Sequence, residues 1–111
     1  MALPELVKLR AERLLEAYCG IARPRQLADV KLYSIFEGSC IILWLDVAVA
    51  GASESDQPLA QLRYHDILSQ WTLHYHDDEG RWRLYLNCPP TLDLEKLLEH
   101  LDADPLRLFW P

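Results

Sequence analysis

The chain has 111 residues, of which half are apolar and a quarter are charged, and its formal net charge is −6. This length predicts a single domain (1–111) that can bury a core without disulfides or a metal, and the composition excludes a disordered chain. The negative charge argues against nucleic-acid partners, the short apolar runs argue against a membrane span, and three cysteines without CxxC spacing indicate a reduced, cytoplasmic protein.

The first predicted element is a helix over Leu3 to Tyr18. Pro4 suits its first turn, where a missing N–H costs nothing, and Gly20 suits a left-handed C-cap. Apolar residues recur on one face at three- and four-residue spacing, which predicts that this face packs on a core. They are Leu3, Val7, Ala11, Leu14, Leu15 and Tyr18.

Two strands are predicted next, over Val30 to Glu37 and Cys40 to Val49, because both segments are rich in branched aliphatic and aromatic residues. Glu37-Gly38-Ser39 indicates a tight hairpin between them. The run Cys40 to Leu45 is apolar at every position, which predicts a central strand covered on both faces. The polar stretch Ala50 to Gln57 is predicted to be a mobile loop.

Three further strands form a predicted meander, over Leu59 to His65, Gln70 to Asp77 and Arg81 to Asn87. Each alternates apolar and polar residues, so one face is expected to be buried, and a one-residue slip would turn the apolar set outward. The predicted buried face carries Ala60, Leu62, Tyr64, Trp71, Leu73, Tyr75, Trp82, Leu84 and Leu86. The predicted pairs are Tyr64 opposite Trp71, Arg63 opposite Thr72, Gln61 opposite His74, Tyr75 opposite Trp82, His76 opposite Arg81, His74 opposite Arg83 and Thr72 opposite Tyr85.

A second helix is predicted from about Leu92 to Leu101, with Thr91 or Asp93 as its cap. The elements together predict an α+β fold: an antiparallel sheet of about five strands with one N-terminal and one C-terminal helix packed on it. The apolar tail around Phe109 and Trp110 is expected to pack back onto the domain. The alternative is that these two rings anchor a partner or a second copy of the chain.

Most of the chain, and its second half above all, resembles a known family. The segments that carry the resemblance are Leu14 to Cys19, Gln61 to Tyr64, Trp71 to Leu73, Gly80 to Trp82, Pro89-Pro90, Leu94 to Leu98, Asp102 to Pro105 and Phe109-Trp110. They are similar to short bacterial proteins known only as domain of unknown function three thousand and twenty-four. The resemblance implies a bacterial, stand-alone domain, and it supplies no activity, cofactor or catalytic residue.

The outward face of the predicted meander carries the side chains best suited to binding. Guanidinium groups suit phosphate or carboxylate, and a neighbouring aromatic ring can stack on a base. We interpret the face as an anion-binding surface, with a plain solvent-facing sheet and a face covered by a helix as alternatives. The face comprises Gln61, His65, Thr72 and the predicted contacts Arg63, His74, His76, Arg81, Arg83 and Tyr85.

No catalytic residue, metal ligand or cofactor is predicted. The sequence contains no GxSxG, HExxH or glycine-rich phosphate loop. His74 and His76 lie two apart on one strand face, but arginines are their predicted cross-strand neighbours and would repel a cation. Cys88, the cysteine expected to be most exposed, has no neighbour that would activate its thiol.

The sequence therefore leaves the function open among several hypotheses. The first is a non-enzymatic binding or adaptor domain that takes a protein partner on the polar face. The second is weak, salt-dependent binding of nucleic acid or a phosphate ligand, and the third is a small enzyme with His74 or His76 as acid–base group and Arg83 as anion clamp. Self-association through a sheet edge or the Trp110 tail is a further hypothesis.

Overall fold

The computed structural model describes residues 3–20, 31–46 and 57–110. The strands form one antiparallel sheet in the order β1-β2-β3-β4-β5, so every strand pairs with its neighbour in sequence. The predicted α+β meander with a helix at each end is confirmed. The elements are α1 (Glu5–Gly20), β1 (Lys31–Glu37), β2 (Cys40–Asp46), β3 (Gln57–His65), β4 (Gln70–His76), β5 (Trp82–Leu84) and α2 (Leu94–Ala103).

Several predicted boundaries move by a few residues. Helix α1 continues past Tyr18, so Gly20 is its last residue, and α2 begins at Leu94 with the Asp93 carboxylate accepting the Glu95 N–H as N-cap. Gln57, predicted to lie in the loop, begins β3 instead. Residue 30, residues 47–49 and positions 50–56 of the predicted loop lie outside the described residues.

Both helices pack on one face of the sheet, which we call the inner face. The predicted stripe of α1 is buried at Ala11, Leu15 and Tyr18 and half-buried at Val7 and Leu14, and α2 buries its four leucines in the same core. The Tyr18 hydroxyl donates to the Asp102 carboxylate at 2.7 Å, which joins the two helices. The inner face contributes Ile41, Leu43, Leu45, Ala60, Leu62, Tyr64, Trp71, Leu73 and Tyr85.

Strand β2 is buried on one face and half-buried on the other. Ile41, Leu43 and Leu45 are buried, whereas the residues between them remain partly accessible. The cover expected on both faces of β2 is therefore complete on the inner face and only partial on the outer face. The physical reason is that α1 and α2 both pack on the inner face, so the described helices cover only one side of this apolar strand.

The predicted register between β3 and β4 is confirmed, and that between β4 and β5 is wrong by one residue. Tyr64 lies opposite Trp71, as predicted. In β5 the observed partners are His76 with Trp82, Tyr75 with Arg83 and His74 with Leu84. The strand ends at Leu84, three residues earlier than expected. Consequently Trp82 and Leu84 lie on the face opposite to the core, and Arg83 and Tyr85 exchange sides with them.

The turn between β4 and β5 accounts for this shift. The Asp77 carboxylate accepts the backbone N–H groups of Glu79 and Arg81, at 2.9 and 2.8 Å, and the Asp77 N–H donates to the Arg81 carbonyl. Gly80 takes a positive φ of 82° within this loop. Because the aspartate draws Arg81 into the turn, the first paired residue of β5 is Trp82.

The C-terminal tail packs back onto the inner face, as predicted. The Phe109 ring is buried and lies 5.1 Å from the Tyr85 ring and 6.4 Å from the Tyr75 ring, in edge-to-face arrangements. The Asp104 carboxylate accepts the backbone N–H groups of residues 108–110. The Trp110 indole donates to the Leu101 carbonyl at 2.9 Å. Phe109 is thus a core residue, and the alternative in which it is an exposed docking anchor is wrong.

The register of β5 can be tested by two neighbouring substitutions. We expect Tyr85→Ala to lower the free energy of unfolding by about 3 kcal/mol or more, because it removes a buried ring that packs on Phe109. Leu84→Ala should cost less than about 1 kcal/mol, because its side chain is nearly half exposed. Urea denaturation of the two variants measures this difference. A larger loss for Leu84→Ala than for Tyr85→Ala would restore the register expected from alternation.

Candidate functional site

The face of the sheet opposite to the helices, the outer face, carries a group of polar side chains at its centre. Gln61 lies directly opposite His74, and Arg63 lies opposite Thr72, because the β3–β4 register places both pairs on the same side. Gln61, Thr72 and His74 are buried, whereas Arg63 is half-buried. We define the polar cluster as Gln61, Arg63, His65, Thr72, His74 and His76.

A chain of hydrogen bonds runs through three members of the polar cluster. The Thr72 hydroxyl lies 2.7 Å from Nε2 of His65 and 2.9 Å from Nε2 of His74. Because a hydroxyl has one proton, it donates to one imidazole and accepts from the other, so the two rings need complementary protonation at Nε2. The chain therefore connects an exposed imidazole, His65, to a buried one, His74.

Arg63 is the cation of the polar cluster. Its Nε donates to the Gln61 side-chain oxygen at 2.6 Å, which orients the guanidinium and leaves its terminal nitrogens for other acceptors. Arg63 forms no salt bridge with any described residue, although acidic residues outnumber basic ones by 17 to 11 in the chain. Within residues 3–20, 31–46 and 57–110, this guanidinium is therefore without a carboxylate partner.

His74 is neutral at physiological pH. Burial, the positive charge of Arg63 and then the neighbouring His65 lower the pKa of His74 from 6.5 to about 4. The neutral ring serves as a hydrogen-bonding group, and it adds no charge beside Arg63. The positive charge at the centre of the outer face is therefore that of the guanidinium.

Apolar side chains flank the polar cluster on both sides. Strand pairing places one row of side chains across the outer face. The row comprises Ile35, Ile42, Gln61, His74 and Leu84. The two ends of this row are accessible, with Ile35 40% and Leu84 46% exposed. The outer face thus combines a polar centre with two apolar margins.

Three of the six predicted contacts lie together, and three do not. The structure brings Arg63, His74 and His76 to the outer face, with the His76 ring 4.9 Å from the Trp82 ring. The predicted grouping of these residues with Arg81, Arg83 and Tyr85 is wrong, because the β5 shift moves Arg83 and Tyr85 to the other face and leaves Arg81 in the turn.

Arg83 and Tyr85 each have a structural role instead. Arg83 forms an ion pair with Asp77, and this hydrogen bond, followed by those from the Arg81 and Glu79 N–H groups, lowers the pKa of Asp77 to about 2. Arg83 is therefore committed to the turn and is not placed as an anion clamp. Tyr85 is 2% exposed, so it cannot contact a partner on the surface.

A cavity of about 690 Å³ opens at the His65 end of the polar cluster. It lies where the β1–β2 and β3–β4 hairpins meet, held by a 2.9 Å bond from the Tyr64 N–H to the Ser39 carbonyl. Ser39, His65, Asp66 and Thr72 contribute polar groups to its lining. Sequence reasoning missed this cavity because it depends on two turns that are far apart in the chain.

The comparisons with known proteins identify a family and no activity. The family described as Domain of unknown function (DUF3024) matches residues 3–111. The chain belongs to this family. The family that the sequence resembles is therefore confirmed. No curated protein and no solved structure matches the chain.

The DUF3024 domain shows no metal-binding cluster within residues 3–20, 31–46 and 57–110, where no three of its His, Cys, Asp and Glu side chains are placed to hold an ion. None of its three cysteines is in a disulfide, and burial raises the pKa of Cys88, which makes that thiol a poor nucleophile. No described helix has the length and apolarity required to cross a bilayer.

The burial of His74 predicts a pH-dependent stability. Its pKa is about 4 when folded and 6.5 as the ordinary value, so the unfolded chain binds the proton first as pH falls below 6.5. We expect this to remove about 2 kcal/mol of the free energy of unfolding between pH 7 and pH 4.5. His74→Gln should lose less stability than the wild type over this interval in urea denaturation.

The matched control for that experiment is His100→Gln, which removes an imidazole from α2, far from the polar cluster in the chain. The pH-dependent loss of stability that we attribute to His74 should remain in this variant. If His74→Gln and the wild type show the same pH dependence, the description of His74 as a buried neutral group is wrong.

Proposed function

We propose that this chain is a non-enzymatic binding domain that engages a protein partner through the outer face of its sheet. The observation that carries the proposal is the Arg63 guanidinium, which no described carboxylate neutralises, at the centre of a face with accessible apolar margins. The proposed contacts are Arg63 and His76 from the polar cluster, together with Ile35 and Leu84, whereas the predicted contact His74 is buried and lies beneath the surface.

The charge of Arg63 favours a partner that brings a carboxylate. The guanidinium is held by Gln61, so its fork is already oriented before a partner arrives, and less conformational entropy is lost on binding. A carboxylate can accept two parallel N–H bonds from such a fork. The neutral His74 beside it adds no second charge to be neutralised.

The extent of the face favours a protein over a small anion or a nucleic acid. Ile35 and Leu84 lie on the first and last strands, four interstrand spacings apart, or about 19 Å. A small anion at Arg63 would leave both apolar margins in water, whereas a protein surface can cover them. A single guanidinium on a chain of net charge −6 is not the row of cations that a phosphate backbone requires.

The cellular setting is part of the same proposal. None of Cys19, Cys40 and Cys88 is in a disulfide, which is typical of proteins in the reducing cytoplasm. A bacterial origin is what the family resemblance implies. We therefore propose a bacterial cytoplasmic protein whose partner is another protein of the same compartment.

Charge reversal at Arg63 tests the proposal. Tagged wild-type protein, Arg63→Glu and the control Arg107→Glu are used to capture proteins from a nuclease-treated bacterial lysate, and the captured proteins are quantified by mass spectrometry. Arg107 is an exposed arginine of the C-terminal tail, so its reversal matches the charge change away from the outer face. We expect one protein to be retained by the wild type and by Arg107→Glu, and at least about tenfold less by Arg63→Glu.

Two further variants keep this result interpretable. Leu84→Asp places a charge on the apolar margin and should also weaken capture of the same protein, because the margin is expected to be covered. Arg63→Gln removes the charge without reversing it and replaces Arg63→Glu if the reversal lowers the thermal midpoint. Capture that is equal for all variants, or no captured protein, would contradict the proposal, as would recovery of nucleic acid when nuclease is omitted.

A second candidate is an enzyme that uses the hydrogen-bonded chain from His65 to His74. The Thr72 hydroxyl lies within hydrogen-bond distance of both imidazoles and lines the 690 Å³ cavity, which is the arrangement of a nucleophile beside a base. In this role His65, the exposed ring, would take the hydroxyl proton as Thr72 attacks. The enzyme hypothesis in which Arg83 acts as the anion clamp is not proposed again, because Arg83 forms an ion pair with Asp77.

A covalent probe separates this candidate from the binding domain. If Thr72 is an activated nucleophile, a fluorophosphonate should phosphonylate it with loss of fluoride, and peptide mapping should locate the label on Thr72. His65→Gln should abolish the labelling because the base is removed. An unlabelled Thr72 in the folded wild-type protein would exclude the enzymatic role.

A further inference from the structure

A second cavity, of about 770 Å³, lies on the helix-bearing side of the sheet. Helix α1 forms one wall, and the start of α2 with the residues before it forms the other. The floor is the β3–β4 hairpin, where the Tyr64 and Trp71 rings lie 5.0 Å apart and are tilted by 59°. We call this cavity the helix-side cleft. Its volume is in the range of pockets that bind small molecules.

The two walls of the helix-side cleft carry opposite charges. Arg10 and Arg13 line it from α1, and Asp93 and Glu95 line it from the start of α2. Among the described residues, no salt bridge joins the two walls. One oxygen of Asp93 caps α2 by accepting the Glu95 N–H at 3.1 Å, which leaves its other oxygen and the Glu95 carboxylate for a ligand. The cleft thus presents cations and anions that do not neutralise each other directly.

Between these charges the helix-side cleft is apolar. Val7 and Leu14 of α1 are only half-buried, and both line the cavity. Leu94 and the Trp71 ring complete an apolar surface between the two charged walls. A ligand that fills this space must therefore present an apolar body and place polar groups at its two ends.

We propose that the helix-side cleft binds a zwitterionic ligand with an apolar body, of the class of short peptides with free termini and large aliphatic or aromatic side chains. The carboxylate of the ligand lies against Arg10 and Arg13, and its ammonium group lies against Asp93 and Glu95. The side chains rest on Trp71 and Leu94.

The balance of charge selects this class over its alternatives. Two arginines and two carboxylates sum to zero, so a ligand of no net charge but separated ends is neutralised at both walls. A nucleotide with two or more negative charges would set its anionic groups in a cleft that holds two carboxylates. An uncharged apolar molecule would desolvate four charged groups without pairing them.

This inference does not depend on the proposed function. The helix-side cleft is on the inner side of the sheet, whereas the proposed protein contact is on the outer face. Arg63→Glu should therefore leave peptide binding unchanged, and variants in the cleft should leave protein capture unchanged. Failure of one proposal is thus distinguishable from failure of the other.

Calorimetric titration of the full chain with L-leucyl-L-phenylalanine tests the inference. We expect saturable binding of the free dipeptide, and binding weaker by at least about tenfold for its N-acetylated form and for its C-terminal amide. Each blocked form removes one of the two charges and keeps both side chains. Related aliphatic and aromatic dipeptides serve as additional probes of the apolar body.

Variants of the two walls assign each terminus. Arg10→Gln combined with Arg13→Gln should weaken binding of the free dipeptide about tenfold and have little further effect on the amide, which lacks the carboxylate. Glu95→Gln should weaken the free dipeptide in the same way and have little further effect on the acetylated form. Arg107→Gln is the matched control and should bind as the wild type does. Each variant is first checked for an unchanged thermal midpoint.

The proposal is overturned by either of two results. One is the absence of heat change with all the free dipeptides at millimolar concentration. The other is equal affinity for the free and blocked forms, or for the wild type and the arginine variant, because binding would then not use the two charged walls.

Discussion

Burial of one face of the sheet against both helices is the interaction on which the rest of this structure depends. The inner-face aliphatics and aromatics form a single core with α1, α2 and the Phe109 ring. This core fixes the register of β3 against β4, because a slip of one residue would exchange Leu73 for Thr72 or His74. Because α1, α2 and the C-terminal tail all pack on the inner face, Arg63 and the apolar margins lie on the side that none of these elements covers.

The Asp77 turn sets the limit of that core at β5. Its carboxylate binds two backbone N–H groups and the Arg83 guanidinium, so the turn is held by several bonds to one side chain. As a result, Tyr85 lies on the inner face, where its ring contacts Phe109, and Leu84 lies at the margin of the outer face. A single aspartate therefore connects the packing of the C-terminal tail with the composition of the surface that we propose for binding.

The polar cluster is a hydrogen-bonded network that contains one guanidinium, that of Arg63, with no described carboxylate paired to it. Gln61, Thr72 and His74 are buried, but each takes part in a hydrogen bond, which is what makes their burial tolerable. His74 avoids the larger penalty of a buried charge by staying neutral. Arg63 is charged and lies at the half-buried edge of this network, and a partner that neutralises it would act on a group already oriented by Gln61.

Local patterns in the sequence determined the element order, the α1 and α2 stripes, the β3–β4 register and the position of Arg63 beside Thr72. These features follow from periodicity and from turn residues within a few positions of each other. The β5 register was not determined in this way, because the alternation allows either of two sets to face the core. One set is Trp82, Leu84 and Leu86, and the other is Arg83 and Tyr85. Only the bonds of Asp77 in the folded turn, and the position of Phe109 beneath Tyr85, distinguish the two possibilities.

The sites themselves were decided by tertiary structure. Three of the six predicted contacts do not lie on the outer face, because the β5 register differs from the predicted one. The helix-side cleft brings together Arg10 and Glu95, which are 85 positions apart. No local sequence pattern predicts that these two residues line one cleft, because their proximity depends on how α1 and α2 lie against the same hairpin. The sequence by itself determined which segments become helices and strands and which faces are apolar. Tertiary packing decided which polar side chains share a surface, because that depends on the register of one short strand and on contacts between the two ends of the chain.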